Sequence, residues 1–227
     1  MKNISVKIVI YFGIFLLFLL GGFHLFFWVD RKQEVKLVKR NRQVARLTRQ
    51  DIAKIKEGDI ILRRGYGFFS DLIAERLNDS VYDVTHSGIL YLKDNEWWVI
   101  HSLSADASDT DGMQEQPLRE FLTYSMPEKM MIVRTKNTSE VQGNKIVERA
   151  KYYLAKRVPF DRVGEIDEPS KMYCTEMIWQ ILDVDLKLIV LPKNPEERKR
   201  VFYSMVGMYD PTYFDIIVNK YPVNSAD

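Results

Sequence analysis

The chain has 227 residues, 46% hydrophobic and 28% charged, a balance that fits a folded domain of ordinary size and excludes a disordered chain. Lys and Arg number 33 against 31 Asp and Glu, so the total charge gives no sign of a nucleic-acid partner. A single cysteine, Cys174, excludes an internal disulfide framework and any multi-cysteine metal site. It is either a buried apolar filler or a reactive thiol, and its sequence context has to decide between them.

The first feature in chain order is Ile8 to Val29, about 22 residues without a formal charge and dominated by Ile, Leu and Phe. At a rise of about 1.5 Å per residue such a run crosses a hydrocarbon core of roughly 30 Å. Trp28, beside Phe26 and Phe27, sits where an interfacial aromatic anchor belongs. A cleavable signal peptide shares this opening, but the run exceeds a usual signal core and no small-x-small cleavage site follows Gly22. The expected division is an uncleaved transmembrane anchor over 1–29, a basic stalk over 30–50 and a globular domain over 51–227. The stalk carries Arg31, Lys32, Lys36, Lys39, Arg40, Arg42, Arg46 and Arg49 against Asp30 and Glu34. Its apolar residues are too sparse to bury much, and it reads as a solvated, partly helical connector. By the positive-inside rule these cations favour a cytoplasmic domain. Laid along anionic lipid, they serve attachment instead.

Gly58-Asp59 followed by Ile60-Ile61-Leu62-Arg63 predicts a turn and a short strand. Phe68 to Leu77 has helical spacing, with Phe69, Leu72, Ile73 and Leu77 on one side. Ser87 to Leu92 and Trp97 to His101, separated by the turn Lys93-Asp94-Asn95-Glu96, predict a hairpin. A short helix from Pro117 to Tyr124, a strand over Met130–Arg134 and an amphipathic helix from Ser139 to Ala155 follow. In that helix Val141, Ile146, Val147, Ala150 and Leu154 recur at three and four. After a loop from Pro159 to Ser170, Tyr173 to Leu182 predicts a helix with Cys174 in its first turn. The tail beyond Pro192 carries a helix near Glu196–Met205 and a strand-like run from Tyr213 to Val218. Strands clustered between helices imply an α+β domain with a small, mostly antiparallel sheet packed by helices.

The thiolate is the competent nucleophile, and the free N–H groups of a helix N-terminus stabilise it. Cys174 is placed there, which predicts a thiol pKa below the free value of about 8.5. The Cys174 amide is a candidate donor to an oxyanion. A nucleophilic cysteine also needs a base, and the base a third group that fixes its tautomer. Of three histidines, His24 lies in the apolar run. His86, at the entry of the first hairpin strand, and His101, at the exit of the second, come together by hairpin pairing alone. Each signal has a plain structural alternative, and the conjunction is what points to chemistry.

Thr85-His86-Ser87-Gly88-Ile89-Leu90-Tyr91-Leu92, a turn, and Val99-Ile100-His101-Ser102 resemble the histidine hairpin of NlpC-type cell-wall peptidases. Gly58-Asp59-Ile60-Ile61 resembles the segment that opens that domain. Tyr173-Cys174-Thr175-Glu176 follows both histidines, which is similar to the circularly permuted, papain-like YaeF/YiiX amidohydrolases. Val158-Pro159-Phe160-Asp161 resembles the element that precedes the cysteine in that group. The resemblance covers residues 55–182 and implies Cys174 as nucleophile, His86 as base and His101 as its orienting partner. Some members carry Glu where this chain has His101. The lecithin–retinol acyltransferase relatives are similar too, with a motif that departs further.

The implied activity is cysteine-dependent amide or peptide hydrolysis through an acyl-enzyme, with no cofactor. Peptide or amino-acyl substrates, including cell-wall peptides, suit a domain on the envelope side, the side the resemblance implies. Lipid or lipoprotein acyl chemistry suits a domain held near the bilayer. A binding module that retains the fold without turnover is the non-enzymatic alternative. Tyr173 and Tyr66 are candidate substrate contacts, although a plain turn accounts for Tyr66 equally well. Glu176 reads either as site lining or as a helix-surface residue, and Asp161 as fixing its loop. Zinc held by His86, His101 and Cys174 is a third class, but no metal-ligand spacing accompanies them.

Overall fold

The computed structural model describes residues 2–222 apart from 45, 80 and 167. Six strands form one antiparallel sheet: β1 (Ile60–Arg63), β2 (His86–Lys93), β3 (Glu96–Leu103), β4 (Gly112–Pro117), β5 (Met130–Thr135) and β6 (Phe214–Asn219). Their order across the sheet is β4-β3-β2-β1-β5-β6. The hairpin closes on Lys93↔Glu96, with Asp94 and Asn95 at φ 52° and 63°. Two consecutive left-handed residues make the tight turn whose twist matches the strands, and Asp and Asn tolerate that conformation well.

Alternation along the central strands sends side chains to two cores. Ile60, Leu62, Ile89, Ile100, Met131 and Val133 face one core, completed by α5 (Glu140–Ala155) and α6 (Cys174–Trp179). Ile61, Leu90, Val99, Met130 and Ile132 face the other, covered by Leu118, Phe121 and Leu122 of α4 (Leu118–Thr123). Both faces being covered explains why β1 is apolar without alternation. Ser139 caps α5, its hydroxyl accepting the Gln142 N–H at 3.3 Å while the Gln142 side chain accepts the Ser139 N–H at 2.9 Å. The α5 stripe is buried at Ile146, Val147, Ala150 and Tyr153, whereas Val141 is exposed. In that first turn Gly143 makes the close contact instead: a Cβ there would stand 2.3 Å from the Glu57 carbonyl oxygen.

Several features depart from the sequence expectations. β4 has no sequence signal because Gly-Met-Gln-Glu-Gln-Pro lies on a sheet edge with only its first two residues buried, leaving no hydrophobic alternation to read. Pro117 closes β4, and α4 starts one residue later. The Cys174 helix is α-helical only to Trp179 and continues as a π-helical turn from Gln180 to Asp185. The tail helix is Pro195–Tyr203, capped by Asn194, and the last strand pairs with β5 as the second sheet edge.

The N-terminal helix α1 runs unbroken from Lys2 to Asn41, through the apolar run and most of the basic segment. It is the one described helix long and apolar enough to cross a membrane, and its length and composition suit an anchor and a signal sequence equally. The basic segment, which leads into the short helix α2 (Arg49–Ile52), is not merely a solvated connector. Asp30 accepts the Phe68 N–H at 3.1 Å, and the buried Arg46 donates to the Ser125 carbonyl at 2.9 Å. A charged stretch that supplies side-chain hydrogen bonds to the domain packs against it despite lacking an apolar stripe.

Gly88 is closely approached by the neighbouring strand β3. A Cβ there would fall 2.4 Å from Val99 Cγ1 and 3.2 Å from His101 Cβ. Gly88→Ala is therefore expected to destabilise the protein by about 1–3 kcal/mol, the range for overpacking a filled core. Thermal denaturation of the full chain in detergent checks this, and an unchanged midpoint would show that β3 shifts freely.

Candidate active site

The hairpin register builds the histidine pair. Ile89↔Ile100 pairing sets His101 opposite Gly88, and His86 stands two residues before Gly88 on the same face. The missing side chain at Gly88 leaves room for the two rings. His86 Nε2 lies 3.0 Å from His101 Nδ1, with the rings nearly perpendicular at 84°. Phe121 of α4 closes over both, its centroid 5.6 Å from His86 and 5.3 Å from His101. Both histidines are buried. Burial, followed by the nearby Arg63 charge, pushes His101 down to about 3 and His86 well below its ordinary value. Both imidazoles are neutral at physiological pH.

Neutrality restricts the tautomers. One nitrogen of the pair must donate and the other accept. If His86 is to take a proton on Nδ1, its Nε2–H donates to His101 Nδ1, and His101 then carries its own proton on Nε2. That Nε2 is buried and has no hydrogen-bond partner. An unsatisfied buried donor of this kind costs about 1–3 kcal/mol.

Arg63, the last residue of β1, is paired across the strands with His86 and was not anticipated as part of the site. It is buried, its guanidinium carbon 4.6 Å above the Phe121 ring, and it donates to the Tyr124 carbonyl. Burial lowers it to about 10, still protonated at neutral pH, against the opposing pull of Glu34 on α1 and of Cys174. Only the pairing register makes it a neighbour of His86, because in sequence it is simply the polar end of an apolar strand.

Cys174 is the first residue of α6 and is partly buried. Its sulfur faces Ser87, whose hydroxyl and N–H favour the thiolate, as do the N–H groups of Thr175 and Cys174 itself. Desolvation outweighs these donors and pushes the thiol above its ordinary value. The expectation of a lowered pKa is thus reversed. The helix start supplies the predicted stabilisation, but the sheet beneath takes the sulfur out of water. Ser87 was likewise missed, although it sits inside the Thr85-His86-Ser87-Gly88 motif.

The strand pleat separates the parts. Ser87 points to the α6 side, whereas His86, His101 and Arg63 point to the α4 side. Among the described residues no hydrogen bond joins Cys174 to either imidazole. His86 is the first residue of β2, so thiol and imidazole flank the end of one strand.

Tyr173 precedes the cysteine, with its ring stacked on Tyr203 at 6.2 Å and its hydroxyl buried without a partner. Glu176 is buried and accepts the Tyr173 N–H at 3.3 Å, which makes it a helix-start cap rather than a surface residue. Tyr66 is buried and donates to the Ser125 carbonyl at 3.0 Å. Asp161 accepts the Val163 and Glu165 N–H groups, both at 2.8 Å, and fixes its loop. The surface hollow beside Asp183, Leu191 and Arg198 contains none of these groups, and its Arg198–Asp183 pair at 2.7 Å is already made.

Comparison with known proteins gives a consistent result. A family model described as permuted papain-like amidase enzyme, YaeF/YiiX, C92 family, matches residues 54–202. Among solved structures, the crystal structure of metalloprotein yiiX from Escherichia coli O157:H7 aligns with a TM-score of 0.54 and 18% identity, covering 74% of this chain and 99% of that one. No curated protein matches the sequence. The relative is described as a metalloprotein. Among the described residues no group of three or more His, Cys, Asp and Glu side chains is placed to hold an ion, and His86 and His101 turn their facing nitrogens on each other. The order of the motifs, the antiparallel sheet and the matched family model agree, and the chain belongs to the permuted papain-like amidase family of the YaeF/YiiX type.

Proposed function

We propose that the chain is a cysteine-dependent amide hydrolase in which Cys174 is the nucleophile, His86 the general base and His101 the residue that orients it. The observation that carries this reading is the 3.0 Å contact between His86 Nε2 and His101 Nδ1, which leaves His86 Nδ1 as the nitrogen for the thiol. Cys174 gives its proton to that nitrogen as Sγ bonds to the substrate carbonyl carbon. The C–N bond then breaks, and the departing amine takes the proton from His86. Water, deprotonated by the same nitrogen, attacks the thioester, returning the thiol and releasing the acid. The N–H groups of Cys174 and Ser87 are the candidate oxyanion donors.

Sγ and Nδ1 have to close to within about 3 Å for the first transfer, a tightening common between a free and a substrate-bound site. Tyr173 and Tyr66 are assigned to the substrate walls and Glu176 to holding the start of α6. Peptide or amino-acyl amides are the first substrate class. Acyl-lipid or lipoprotein substrates are the second, favoured by the contact of α1 with the domain through Asp30 and Phe68. Residues 1–29 then act as an uncleaved anchor and 51–227 as the hydrolase domain.

The test uses the full chain in detergent with an activated amide and a small thiol electrophile. Intact mass should reveal an acyl adduct on the wild type and none on Cys174→Ala. Because the resting thiol is raised and His86 lowered, alkylation should climb only above the ordinary thiol value. Hydrolysis should instead lose its acid limb only below the ordinary histidine value, where His86 finally takes a proton in the free enzyme. Amide hydrolysis that survives in Cys174→Ala would sink the proposal and favour the binding-module reading.

A further inference from the structure

The nine-residue helix α3 (Phe68–Arg76) has no buried residue. Phe68, Phe69 and Leu72 are 39%, 49% and 41% exposed on one side of it. Its two flanks are engaged: on one, Asp71 pairs with the buried Arg64, and on the other Ile73 packs against the main core. An apolar stripe that belongs to neither core needs another apolar phase to cover it.

The contacts of α3 with α1 identify that phase. The Phe68 ring lies 5.3 Å from Phe26 and 6.1 Å from Phe27, and Phe69 stacks on Phe27 at 5.4 Å and 17°. Phe68 also lines an apolar groove with Phe18, Leu19 and Phe23. Asp30, the first charged residue after the apolar run, accepts the Phe68 N–H at the start of α3. A Cβ on Gly67, at φ 85°, would sit 3.3 Å from that carboxylate, so the loop is held tightly against α1. α3 is therefore fixed at the level where the apolar segment ends.

We propose that α3 is a second membrane contact, seated in the interfacial layer of the bilayer that α1 spans. Phe68, Phe69 and Leu72 enter the boundary between headgroups and acyl chains. Arg76, one turn beyond Leu72 on the same side, reaches lipid phosphate along its own stem. Asp71, held by Arg64, borders this face together with Glu75, and both stay on its water side. The contact fixes the height of the candidate site: Arg63 is flanked by Glu34, which lies about 10 Å along α1 from Phe27. The thiol is thereby presented to carbonyls held close to the lipid surface. This inference rests on α1 being an uncleaved anchor.

The experiment uses the full chain with Cys174→Ser, which removes the only native thiol, and single cysteines introduced as Leu72→Cys, Leu19→Cys or Val141→Cys. Each is labelled with an environment-sensitive fluorophore and reconstituted into phosphatidylcholine–phosphatidylglycerol vesicles carrying spin-labelled lipid, with the label shallow for positions 72 and 141 and near the acyl-chain end for position 19. Quenching at position 72 at least threefold that at position 141, together with quenching at position 19, is the expected result. Quenching at 19 with 72 no different from 141 overturns the α3 contact and leaves the anchor standing. No quenching at 19 overturns the anchor and the contact together. Equal quenching at all three also overturns the proposal, because contact would then not be specific to α3.

Discussion

His86→Ala is expected to lower amide hydrolysis by about 10²–10⁴-fold, the usual worth of a general base. The loss should appear in kcat/KM, and the wild-type acid limb should vanish, since the group that titrates is gone. The imidazole is buried beneath Phe121, so a thermal midpoint measured in parallel is needed to separate catalytic loss from unfolding. His101 acts through His86, and the two replacements at that position are the more discriminating pair. His101→Ala removes the acceptor 3.0 Å from His86 Nε2 and frees the imidazole to rotate or change tautomer. His101→Asn keeps an acceptor of similar reach and also removes the buried, unpartnered Nε2. Asn should recover a substantial share of the activity that Ala loses, with an acid limb still present. Equal loss in both variants would mean that His101 supports packing rather than orientation.

The largest expected effect on stability is at Arg134→Ala. Asp59 is almost fully buried, and Arg134 grips it through Nε at 2.7 Å and Nη2 at 2.8 Å, while Nη2 also donates to the Lys54 carbonyl at 2.9 Å. Removing the guanidinium leaves a buried carboxylate with only the Lys56 N–H at 2.8 Å, and such a loss costs about 3–5 kcal/mol. Burial already pushes the Asp59 carboxyl above its ordinary value despite Arg134. A carboxyl raised in the folded state binds its proton more tightly there than in the unfolded chain. Stability therefore falls as pH rises from the ordinary carboxylate value through the folded one. Without Arg134 that window extends upward, so the destabilisation of Arg134→Ala should be largest near neutral pH and shrink as the solution is acidified toward pH 5. Urea titrations of the full chain in detergent at both pH values check the sign. A defect that grows on acidification would overturn the assignment of Asp59 as the orphaned charge.

The sequence by itself determined a good deal, and the reasons are local. The two apolar runs, Ser87 to Leu92 and Trp97 to Val99, on either side of Asp94-Asn95 specify a hairpin, and a hairpin brings His86 and His101 together whatever the rest of the chain does. The recurrence of Ile146, Val147, Ala150 and Leu154 at three and four specifies α5 in the same way. The order of histidine hairpin before Tyr173-Cys174-Thr175-Glu176 is a linear property, and it sufficed for the permuted family. The apolar run of α1 needs only length and composition to be recognised.

Only the tertiary structure decided the rest, because those properties depend on what lies opposite. β4 is a strand because β3 offers it an edge, not because its own residues alternate. Arg63 becomes a neighbour of His86 through strand register, and register is set by two strands at once. The thiol is raised rather than lowered because desolvation by the sheet exceeds the stabilisation from the helix start, a balance between two environments that no motif encodes. The basic segment after the apolar run looks like a free connector in one dimension, yet Asp30 and Arg46 make specific hydrogen bonds to the domain. Hydrophobic periodicity records which side chains must leave water. It does not record which charged side chain will find a partner once the chain has folded around them.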